Sequence, residues 1–439
     1  MPVDLSAAGR PSAYPTHKPR FMPWLVGWLL CCATGVVLTL LLWPAHTPTQ
    51  TPLFWFCLVG VPNVVFCFAL GVTRSVYEAA YRQAWYRHQH RKTWLDDRVR
   101  YAQRPLRVLG VGYCLPVKQP SLATVVAGAT PLITSQPPRS GSGLLTHSRF
   151  ADDDPRIDAS VDAWRESASD SALDDVTHPP TPAHAPPGDQ VPPVVRIIEH
   201  ALAPLASVLH ALSQQDSARA PAVRVLPSLD KADERVQQVR QALQRASLPE
   251  WECHAVPADD GLMLADTWLD LDENRPLLMI AAEWYDTPLP DSTEGAVAVL
   301  LAPEALPLPE SVVACGTLHR PVNGALDVLS DVLANAALWG HADATSVSHT
   351  WISGLDASHD SAFLAALEAA SFTAVKTSDA QQRLDPVVGR SGAMGGWLSI
   401  AAAVESGATA PQLIFHIAQA AQAAILYVNP PASHDNSHE

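Results

Sequence analysis

The sequence lacks the short motifs by which many enzymes and metal proteins are recognised. It contains no CxxC pair and no run of cysteine and histidine with the spacing of a zinc site. It contains no GxSxG elbow of a serine hydrolase. The glycine-rich stretch at 389–396 lacks both the GxGxxG spacing and the lysine of a phosphate-binding loop. These absences argue against the common zinc, serine-hydrolase and nucleotide-binding proteins.

Positive charge is scarce over most of the chain. The 439 residues carry 29 Lys and Arg against 44 Asp and Glu, a formal net charge of −15. Nine of the cations lie between Arg74 and Arg107, so the chain after them is more acidic than the total suggests. A nucleic-acid-binding domain needs a basic face to displace counterions from phosphates. We therefore expect no nucleic-acid partner.

Cysteine is also sparse. Four of the seven cysteines lie in two apolar segments near the N-terminus, where cysteine behaves as a small hydrophobic residue. Cys114, Cys253 and Cys315 are scattered through the rest of the chain. An odd number of scattered cysteines is typical of a protein in a reducing compartment.

Two segments near the N-terminus contain no charged residue. The first covers 22–43 and the second covers 53–72. Each is long enough for a helix to cross the hydrocarbon core of a bilayer, which is about 30 Å thick. A cleaved signal peptide is the alternative for the first segment, but its apolar core is longer than such peptides have and a second segment follows at once. The sequence therefore predicts a transmembrane helical hairpin at 22–72.

The flanking charges predict the orientation of this hairpin. Arg10, Lys18 and Arg20 precede it, the connecting loop has no Lys or Arg, and a basic segment at 73–104 follows it. Positive charge collects on the cytoplasmic side of a membrane. We therefore expect a multi-pass inner-membrane protein with a cytoplasmic tail at 1–21 and both termini in the cytoplasm. The basic segment is expected to be a juxtamembrane helix near anionic lipid.

The chain after the basic segment has the pattern of an α/β protein. Strand-like runs and helix-like runs alternate, which predicts a mixed sheet, and Leu106–Cys114 is the expected opening strand. Further strands are expected at Ala222–Leu226, 277–284 and 296–302, and a helix at 323–337. The segment 134–192 is rich in Pro, Ser, Asp and Gly and has few apolar residues, with room for a short helix at 157–173. The expected regions are the first part of a soluble domain at 105–133, a flexible insert at 134–192, an α/β domain at 193–429 and a disordered tail at 430–439.

Three pieces of the C-terminal part resemble ketoacyl synthases and other proteins of the thiolase fold. The run 294–301 resembles their GEGAAAVVL strand. Asp360 begins a D-x-x-F-x-x-A-L run that resembles their D-x-x-E-x-x-A-L helix, and 392–396 resembles their GAAGG turn. Such glycines allow a helix to start close beneath a strand, where a Cβ would clash. Order and spacing match over roughly residues 276–411, so the resemblance implies a thiolase-like fold.

The catalytic residues of that family are missing at the matching positions. Its condensing enzymes use a nucleophilic cysteine with two histidines, or a histidine and a cysteine. By spacing from Asp360, the first histidine position falls at Ile352; by spacing from Gly392, the second falls at Gly389 or Arg390. An activated thiol needs a base within hydrogen-bond reach. The resemblance therefore implies a degenerate member of the fold with no catalytic residue, cofactor or metal, and hence a protein that is not an enzyme.

Weaker candidate sites remain. Cys315 and His319 lie close in sequence and form either a reactive dyad or a buried cysteine beside a loop histidine. His88 and His90 flank a basic helix and are expected to be solvated or at the lipid surface. An acidic group suggests either a cation site or a solvated loop. Its members are Asp259, Asp260, Asp270, Asp272 and Glu273.

The hairpin, the insert and the thiolase-like part also resemble one bacterial family, the type VI secretion lipase adaptors. The resemblance rests on LRVLGVG at 106–112, a strand–helix unit at 226–246 and EGAVAVLLA at 294–302. Such adaptors recruit a lipase effector and hand it to the secretion spike, so the resemblance implies a lipase effector, a spike protein and the inner membrane as partners. Two alternatives stay open: a membrane-bound acyltransferase or condensing enzyme with Cys315 or Cys253 as an unusual nucleophile, and a structural scaffold of a membrane complex.

Overall fold

The computed structural model describes two compact units of the chain. One unit covers Asp4–Arg100, and we call it the helical unit; the other covers Tyr101–Glu439 with Met1–Val3, and we call it the body. Residues 158–190, which hold most of the expected insert and of the expected helix at 157–173, lie outside the described residues, as do Asp272 and the expected tail from 431 on. The described residues are 8–11, 13–15, 21–44, 48–117, 121–157, 191–215, 219–227, 231–271 and 273–430.

Two antiparallel apolar helices dominate the helical unit. Its elements are α1 (Phe21–Leu42), α2 (Pro52–Trp55), a π-helical turn (Phe56–Gly60) and α3 (Val61–Ala102). Gly35 lets α1 and α3 touch, because a Cβ at this position would overlap the Pro62 ring. The Trp28 indole donates to Asn63 Oδ1 at 2.8 Å on the same side of the hairpin. The middle of the hairpin is therefore closed by its own side chains.

Three helical segments are long and apolar enough to cross a membrane. Phe21–Leu42 and Pro52–Ala102 correspond to the two candidate spans that the sequence predicts. The third, Pro193–Ser213, was not expected to be a span, and half of its apolar window is buried inside the body. Ile197 and Leu209 on this segment are fully buried. Because its apolar stripe already packs against protein, we assign this segment to the core of the body.

Within the described part of the body, eleven strands form one mixed sheet. The strands of the body are β1 (Leu106–Cys114), β2 (Thr134–Gln136), β3 (Leu145–His147), β4 (Ala222–Leu226), β5 (Cys253–Ala255), β6 (Leu277–Glu283), β7 (Gly295–Pro303), β8 (Gly316–Leu318), β9 (Val322–Gly324), β10 (His349–Ser353), β11 (Gln381–Arg383), β12 (Gln412–Ile417) and β13 (Ala421–Val428). The order in the mixed sheet is β11-β10-β12-β13-β8-β1-β7-β6-β4-β5, with β9 paired to β13, and β2 and β3 form a separate hairpin.

The sheet consists of two similar halves. In one half β5, β4 and β6 are parallel, and β7 and β1 continue it antiparallel. In the other half β11, β10 and β12 are parallel, and β13 and β8 continue it antiparallel. The halves join where β8 pairs with β1. In both halves, helices follow parallel strands along the chain and begin near the ends of those strands.

Helices cover both faces of the sheet. They are α4 (Leu122–Ala127), α5 (Pro193–Leu202), α6 (Ala206–Ser213), α7 (Ala232–Arg245), α8 (Met263–Asp270), α9 (Leu329–Trp339), α10 (Asp360–Ala369), α11 (Asp385–Val388) and α12 (Gly395–Ser406). Successive side chains of a strand point to opposite faces. Leu277 and Met279 of β6 therefore join a core with α8 and α12, whereas Leu278 and Ile280 join a second core with α5–α7. Burial on both faces explains the continuous apolar runs of β6 and β7.

The start of the expected flexible insert is folded. β2 and β3 pair antiparallel, and Phe150, just after them, is fully buried. The Arg139 guanidinium pairs with the Glu294 carboxylate and lies 3.8 Å from the centre of the Trp284 ring. The structure therefore differs from the expectation over 134–157. A buried ion pair and aromatic contacts anchor this stretch, and its Pro- and Ser-rich composition does not reveal them.

Candidate active site

A sharp turn joins β5 to α8, and we call residues 257–262 the elbow. Gly261 has φ 47° and ψ −124°, a backbone conformation that residues with a side chain rarely adopt. α8 begins two residues later, at Met263. A strained turn from a strand into a helix is a common way to present a nucleophile at the edge of a sheet. In this chain the residue in the strained position is a glycine, which supplies no reactive group.

The side chain of Gln422 fills the space in front of Gly261. A Cβ at Gly261 would lie only 2.6 Å from Gln422 Oε1. The Leu262 backbone N–H donates to this oxygen at 2.7 Å. Gln422 Nε2 donates to the carbonyl oxygens of Asp259 and Asp260 at 3.3 and 3.1 Å. A residue of β13 therefore pairs the backbone groups of the elbow and holds the turn closed.

The glycine pair at the start of α12 packs directly against the elbow and two strands. A Cβ at Gly395 would lie 3.0 Å from His416 Cε1 and 3.3 Å from Ser353 Cβ. A Cβ at Gly396 would lie 2.9 Å from Leu262 Cγ. These close approaches explain why glycines occupy both positions. They bring the start of α12, the end of β10, β12 and the elbow to one place.

A serine hydroxyl and an imidazole meet at this place. Ser353 ends β10, and its Oγ lies 3.0 Å from His416 Nδ1. Ser399 Oγ on α12 lies 3.2 Å from Ser353 Oγ and 3.1 Å from the Gly395 carbonyl oxygen. Burial lowers the pKa of His416 to about 4, so the ring is neutral at pH 7 and can accept the Ser353 hydrogen. A hydroxyl within hydrogen-bond reach of a base is the first requirement of nucleophilic catalysis.

A buried carboxyl group lies beside the start of α12. Glu283 ends β6, and burial raises its pKa. The Ala393 backbone N–H points to Glu283 Oε1 at 3.4 Å. Gly392 has φ 54°, and a Cβ there would lie 2.9 Å from the same oxygen. Because a raised pKa favours the protonated form, Glu283 is a candidate acid beside the turn that precedes α12.

The histidine positions that the motif spacing predicts lie on separate elements, and none of them carries an imidazole. Ile352 precedes Ser353 on β10 and points to the opposite face of the strand. Gly389 ends α11, and the exposed Arg390 guanidinium pairs with Asp356 at 2.7 Å. Ser353 is therefore one residue after the position that the motif spacing predicts for the first histidine.

Neither cysteine considered as a nucleophile fits that role. Cys315 Sγ donates to the Val108 carbonyl oxygen at 3.2 Å, and burial raises the pKa of this thiol to about 11. Cys315 and His319 stand at opposite ends of β8, and the His319 ring packs against Tyr427. Cys253 is buried on β5, and burial raises its pKa as well. A thiol that stays protonated at neutral pH is a poor nucleophile.

The other sequence candidates are dispersed over the chain. His88 and His90 are exposed on α3. Among the residues that the structure describes, no group of three His, Cys, Asp or Glu could hold a metal ion. The acidic residues have separate surroundings: Asp259 and Asp260 are in the elbow, Asp270 pairs with the buried Arg320, and Glu273 pairs with Arg275.

Sequence reasoning alone does not find Gly261, Ser353, His416 or Gln422. One signal was available, because polar residues inside buried strands are uncommon and need partners. His416 interrupts the apolar run of β12, and Gln422 lies near the start of the buried strand β13. Only the fold shows that these two residues meet the elbow and Ser353.

The fold places the body in the thiolase-like class, with the mixed α/β sheet of the ketosynthases. A scan against protein-family models finds no match, and no curated protein matches the sequence. Solved structures do match. A ketosynthase from module 6 of the bacillaene synthase of Bacillus subtilis 168 matches with a TM-score of 0.50 at 12% identity, over 75% of this chain and 71% of that chain.

Two further matches have lower TM-scores. The acyltransferase ChlB3 gives 0.43 at 13% identity, over 75% of this chain and 99% of that chain. A 3-oxoacyl-[acyl-carrier-protein] synthase III from Aquifex aeolicus VF5 gives 0.41 at 11% identity, over 73% of this chain and 99% of that chain. The match at a TM-score of 0.50 confirms the predicted fold class, a thiolase-like α/β body that follows apolar candidate spans.

The comparisons correct the expectation that the chain is not an enzyme. The structure matched at a TM-score of 0.50 is a ketosynthase, so the body has the fold of an enzyme. The expectation is wrong because it rests on the residues found at motif positions. An imidazole and a hydroxyl come together from distant parts of the sequence. His416 lies on β12, far along the chain from the run that begins at Asp360, and its Nδ1 lies 3.0 Å from Ser353 Oγ.

Proposed function

We propose that the protein is a membrane-anchored enzyme that transfers acyl groups, as an acyltransferase or a condensing enzyme. The observation that carries the proposal is the 3.0 Å hydrogen bond between Ser353 Oγ and His416 Nδ1 beside the elbow. The ketosynthase fold of the body supports it. The apolar helices α1 and α3, which are long enough to cross a bilayer, support the attachment to a membrane.

In this proposal Ser353 is the nucleophile. Its oxygen attacks the carbonyl carbon of an acyl thioester while His416 accepts the hydroxyl proton. The C–S bond then breaks, which leaves an ester on Ser353, and His416 gives the proton to the departing thiolate. An acceptor then gives its proton to His416 as it attacks the ester. The bond between Ser353 Oγ and the acyl carbon breaks, and His416 returns the proton to Ser353 Oγ.

The pair is closed to solvent, so the proposal requires an opening step. Ser353 and His416 are 1% and 4% exposed. Gln422 lies across the neighbouring elbow and is held there by hydrogen bonds with Leu262, Asp259 and Asp260. We expect the elbow and Gln422 to move when an acyl group enters. Gln422→Ala should therefore increase the rate of acylation.

Labelling of the full chain in detergent with a long-chain acyl-CoA tests the proposal. We expect wild type to be acylated, and Ser353→Ala and His416→Asn to lose the label. Ser348→Ala is the matched control, because Ser348 Oγ also lies 2.9 Å from a histidine nitrogen, that of His349, but on the far end of β10. An unlabelled wild type, full labelling of Ser353→Ala, or loss of the label only in Cys315→Ala would refute the proposal.

A second candidate function is the recruitment of a lipase effector for type VI secretion. This proposal rests on the resemblance of the stretches at 106–112, 226–246 and 294–302 to that family. In this role the body would hold the lipase and pass it to a spike protein at the inner membrane. From residue 101 on, the chain has 40 Asp and Glu against 19 Lys and Arg, so a partner with a basic surface is expected.

Affinity purification of the tagged full chain from membranes tests this second function. We expect to recover a lipase, and to lose it at high salt if opposite charges hold the complex. Recovery of the spike protein without the lipase, or of neither, would contradict the recruitment role. The acyl-CoA experiment is independent of this result.

We also propose that the hairpin crosses the inner membrane with both termini in the cytoplasm. The flanking charges support this orientation. Within the helical unit, the Tyr14 ring lies 5.3 Å from that of Tyr81, and Arg91 Nε donates to the Gly9 carbonyl oxygen at 3.0 Å. Gly9 and Tyr14 therefore lie against α3. Alkaline phosphatase fused in the loop 44–52 should be active and fused at the C-terminus inactive; the reverse pattern would contradict the proposal.

A further inference from the structure

The helical unit contains an apolar groove between its two long helices. Its volume is about 480 Å³. The residues that line it include Trp24, Leu25 and Trp28 on α1 and Phe66, Leu70 and Arg74 on α3. The α1 residues have i, i+1 and i+4 spacing and the α3 residues have i, i+4 and i+8 spacing, so each helix contributes one face to the groove.

One end of the groove is closed and the other is open. The hydrogen bond from Trp28 to Asn63 closes it towards the middle of the hairpin, where Gly35 meets Pro62. From there Phe66, Leu70 and Arg74 follow one another along α3 towards the open end. Eight residues of α-helix span about 12 Å, so the groove accepts part of an acyl chain along its length.

Among the lining residues that the structure describes, Arg74 is the one cation, and it lies at the open end of the groove. The Arg74 side chain is 73% exposed and donates to Glu78 Oε1 at 2.9 Å. Glu78 also lies 3.9 Å from Arg82, so this carboxylate keeps a positive neighbour when Arg74 turns away. The three side chains together carry one net positive charge. The groove thus combines an apolar wall with an anion-binding group at its mouth.

We infer that this groove binds one anionic phospholipid of the bilayer. Its acyl chain lies against the aromatic and aliphatic wall, and its phosphate pairs with Arg74. A bilayer lipid is the occupant that fits, because both helices are apolar enough to span a membrane and arginine near a span end reaches the headgroup level. Trp24 and Phe66, whose rings meet edge to face with their centres 5.9 Å apart, form part of the apolar wall against which the chain packs.

Native mass spectrometry of the full chain, equilibrated in detergent with equal amounts of phosphatidylglycerol and phosphatidylcholine, tests the inference. Wild type is expected to retain one phosphatidylglycerol, with a preference of about fivefold, the factor that one cation near a lipid surface contributes. Arg74→Gln removes this preference. Arg87→Gln is the matched control: it removes the same charge from the same helix but neither lines the groove nor pairs with Glu78. Leu70→Trp fills the groove and reduces retention of both lipids.

Several outcomes would overturn the inference. If Arg74→Gln kept the lipid preference of wild type, Arg74 would not be the anion site. If Arg74→Gln and Arg87→Gln lost the preference equally, the attraction would be a diffuse charge effect. Full retention in Leu70→Trp would place the lipid elsewhere on the protein. A lipid-free dimer would make a second copy the occupant. Circular dichroism of each variant verifies that its helices are intact.

Discussion

Replacing Gly261 by alanine is expected to lower the free energy of unfolding of the body by about 2–5 kcal/mol. The backbone contributes about 1–2 kcal/mol, because φ is 47° and a Cβ is disfavoured there. The contact with Gln422 contributes about 1–3 kcal/mol, because its Oε1 would lie 2.6 Å from the new Cβ. Gln422 cannot turn aside freely, since it is 2% exposed and its hydrogen bonds hold the elbow.

Two variants separate these contributions. Gly407 has φ 66°, and a Cβ there would have no neighbour within 4 Å. Gly407→Ala should therefore cost only the backbone part, about 1–2 kcal/mol. Gln422→Ala removes the crowding atom but leaves the buried Leu262 N–H unpaired, which costs about 1–3 kcal/mol by itself. In the double variant Gly261→Ala/Gln422→Ala the overlap is absent, so its loss should be smaller than the sum of the single losses by about 1–3 kcal/mol.

Urea titration of the full chain in detergent, followed by tryptophan fluorescence, measures these differences. The reasoning about the elbow would be refuted if Gly261→Ala cost no more than Gly407→Ala. It would also be refuted if the losses of Gly261→Ala and Gln422→Ala were simply additive, because the two residues would then not be in contact.

Two further predictions concern buried charges. The pKa of His416 is about 4 in the folded protein and about 6.5 when unfolded. As the pH falls from 7 to 4 the unfolded state therefore takes the proton first, and the free energy of unfolding of wild type falls by about 3 kcal/mol. His416→Asn should not show this loss. Burial raises the pKa of Asp266 and of Asp385 to about 6, so their contribution to the free energy of unfolding increases as the pH falls through the same range. The test is therefore the difference between the urea-derived stability curves of wild type and His416→Asn. Parallel curves would contradict the prediction. Glu294→Ala should cost about 3–5 kcal/mol, because it leaves the Arg139 charge buried without its carboxylate, and Arg139→Ala/Glu294→Ala should cost less than the two single changes together.

Elements with strong local patterns were predictable from the sequence. The predicted bounds of β1 and β4, Leu106–Cys114 and Ala222–Leu226, agree with the structure, and β6 and β7 lie within a residue of their predicted ends. These segments are apolar or β-branched over five or more residues, and turn residues bound them. The hydrophobic effect alone is enough to bury such runs in the centre of a sheet.

Short elements were not predictable in this way. β8, β9 and β11 have three residues each and exist because neighbouring strands pair with them. The sequence predicts a helix at 323–337, but Val322–Gly324 pairs with β13, and the α-helix begins only at Leu329. The helix Met263–Asp270 has only eight residues, too few to be stable without tertiary packing. Tertiary contacts outweigh local preference in all of these segments.

The candidate site was only partly visible in the sequence. The glycines at 392–396 were recognised as a close approach between a helix and a strand, and the structure places Gly395 and Gly396 against His416 and Leu262. Ser353 was missed because motif spacing points to the residue before it. His416 and Gln422 belong to the last two strands, outside the recognised motifs, so no spacing rule relates them to the elbow.

The sequence by itself determined the apolar segments near the N-terminus, the acidity of the remainder and the α/β class of the body, because each is a property of composition or of residues close together along the chain. Only the tertiary structure decided that Ser353 meets His416, that Gln422 fills the space beside Gly261, and that Arg74 stands at the mouth of an apolar groove. The physical reason is that these contacts join residues on separate strands and helices, and their distances depend on how the whole sheet and the hairpin pack.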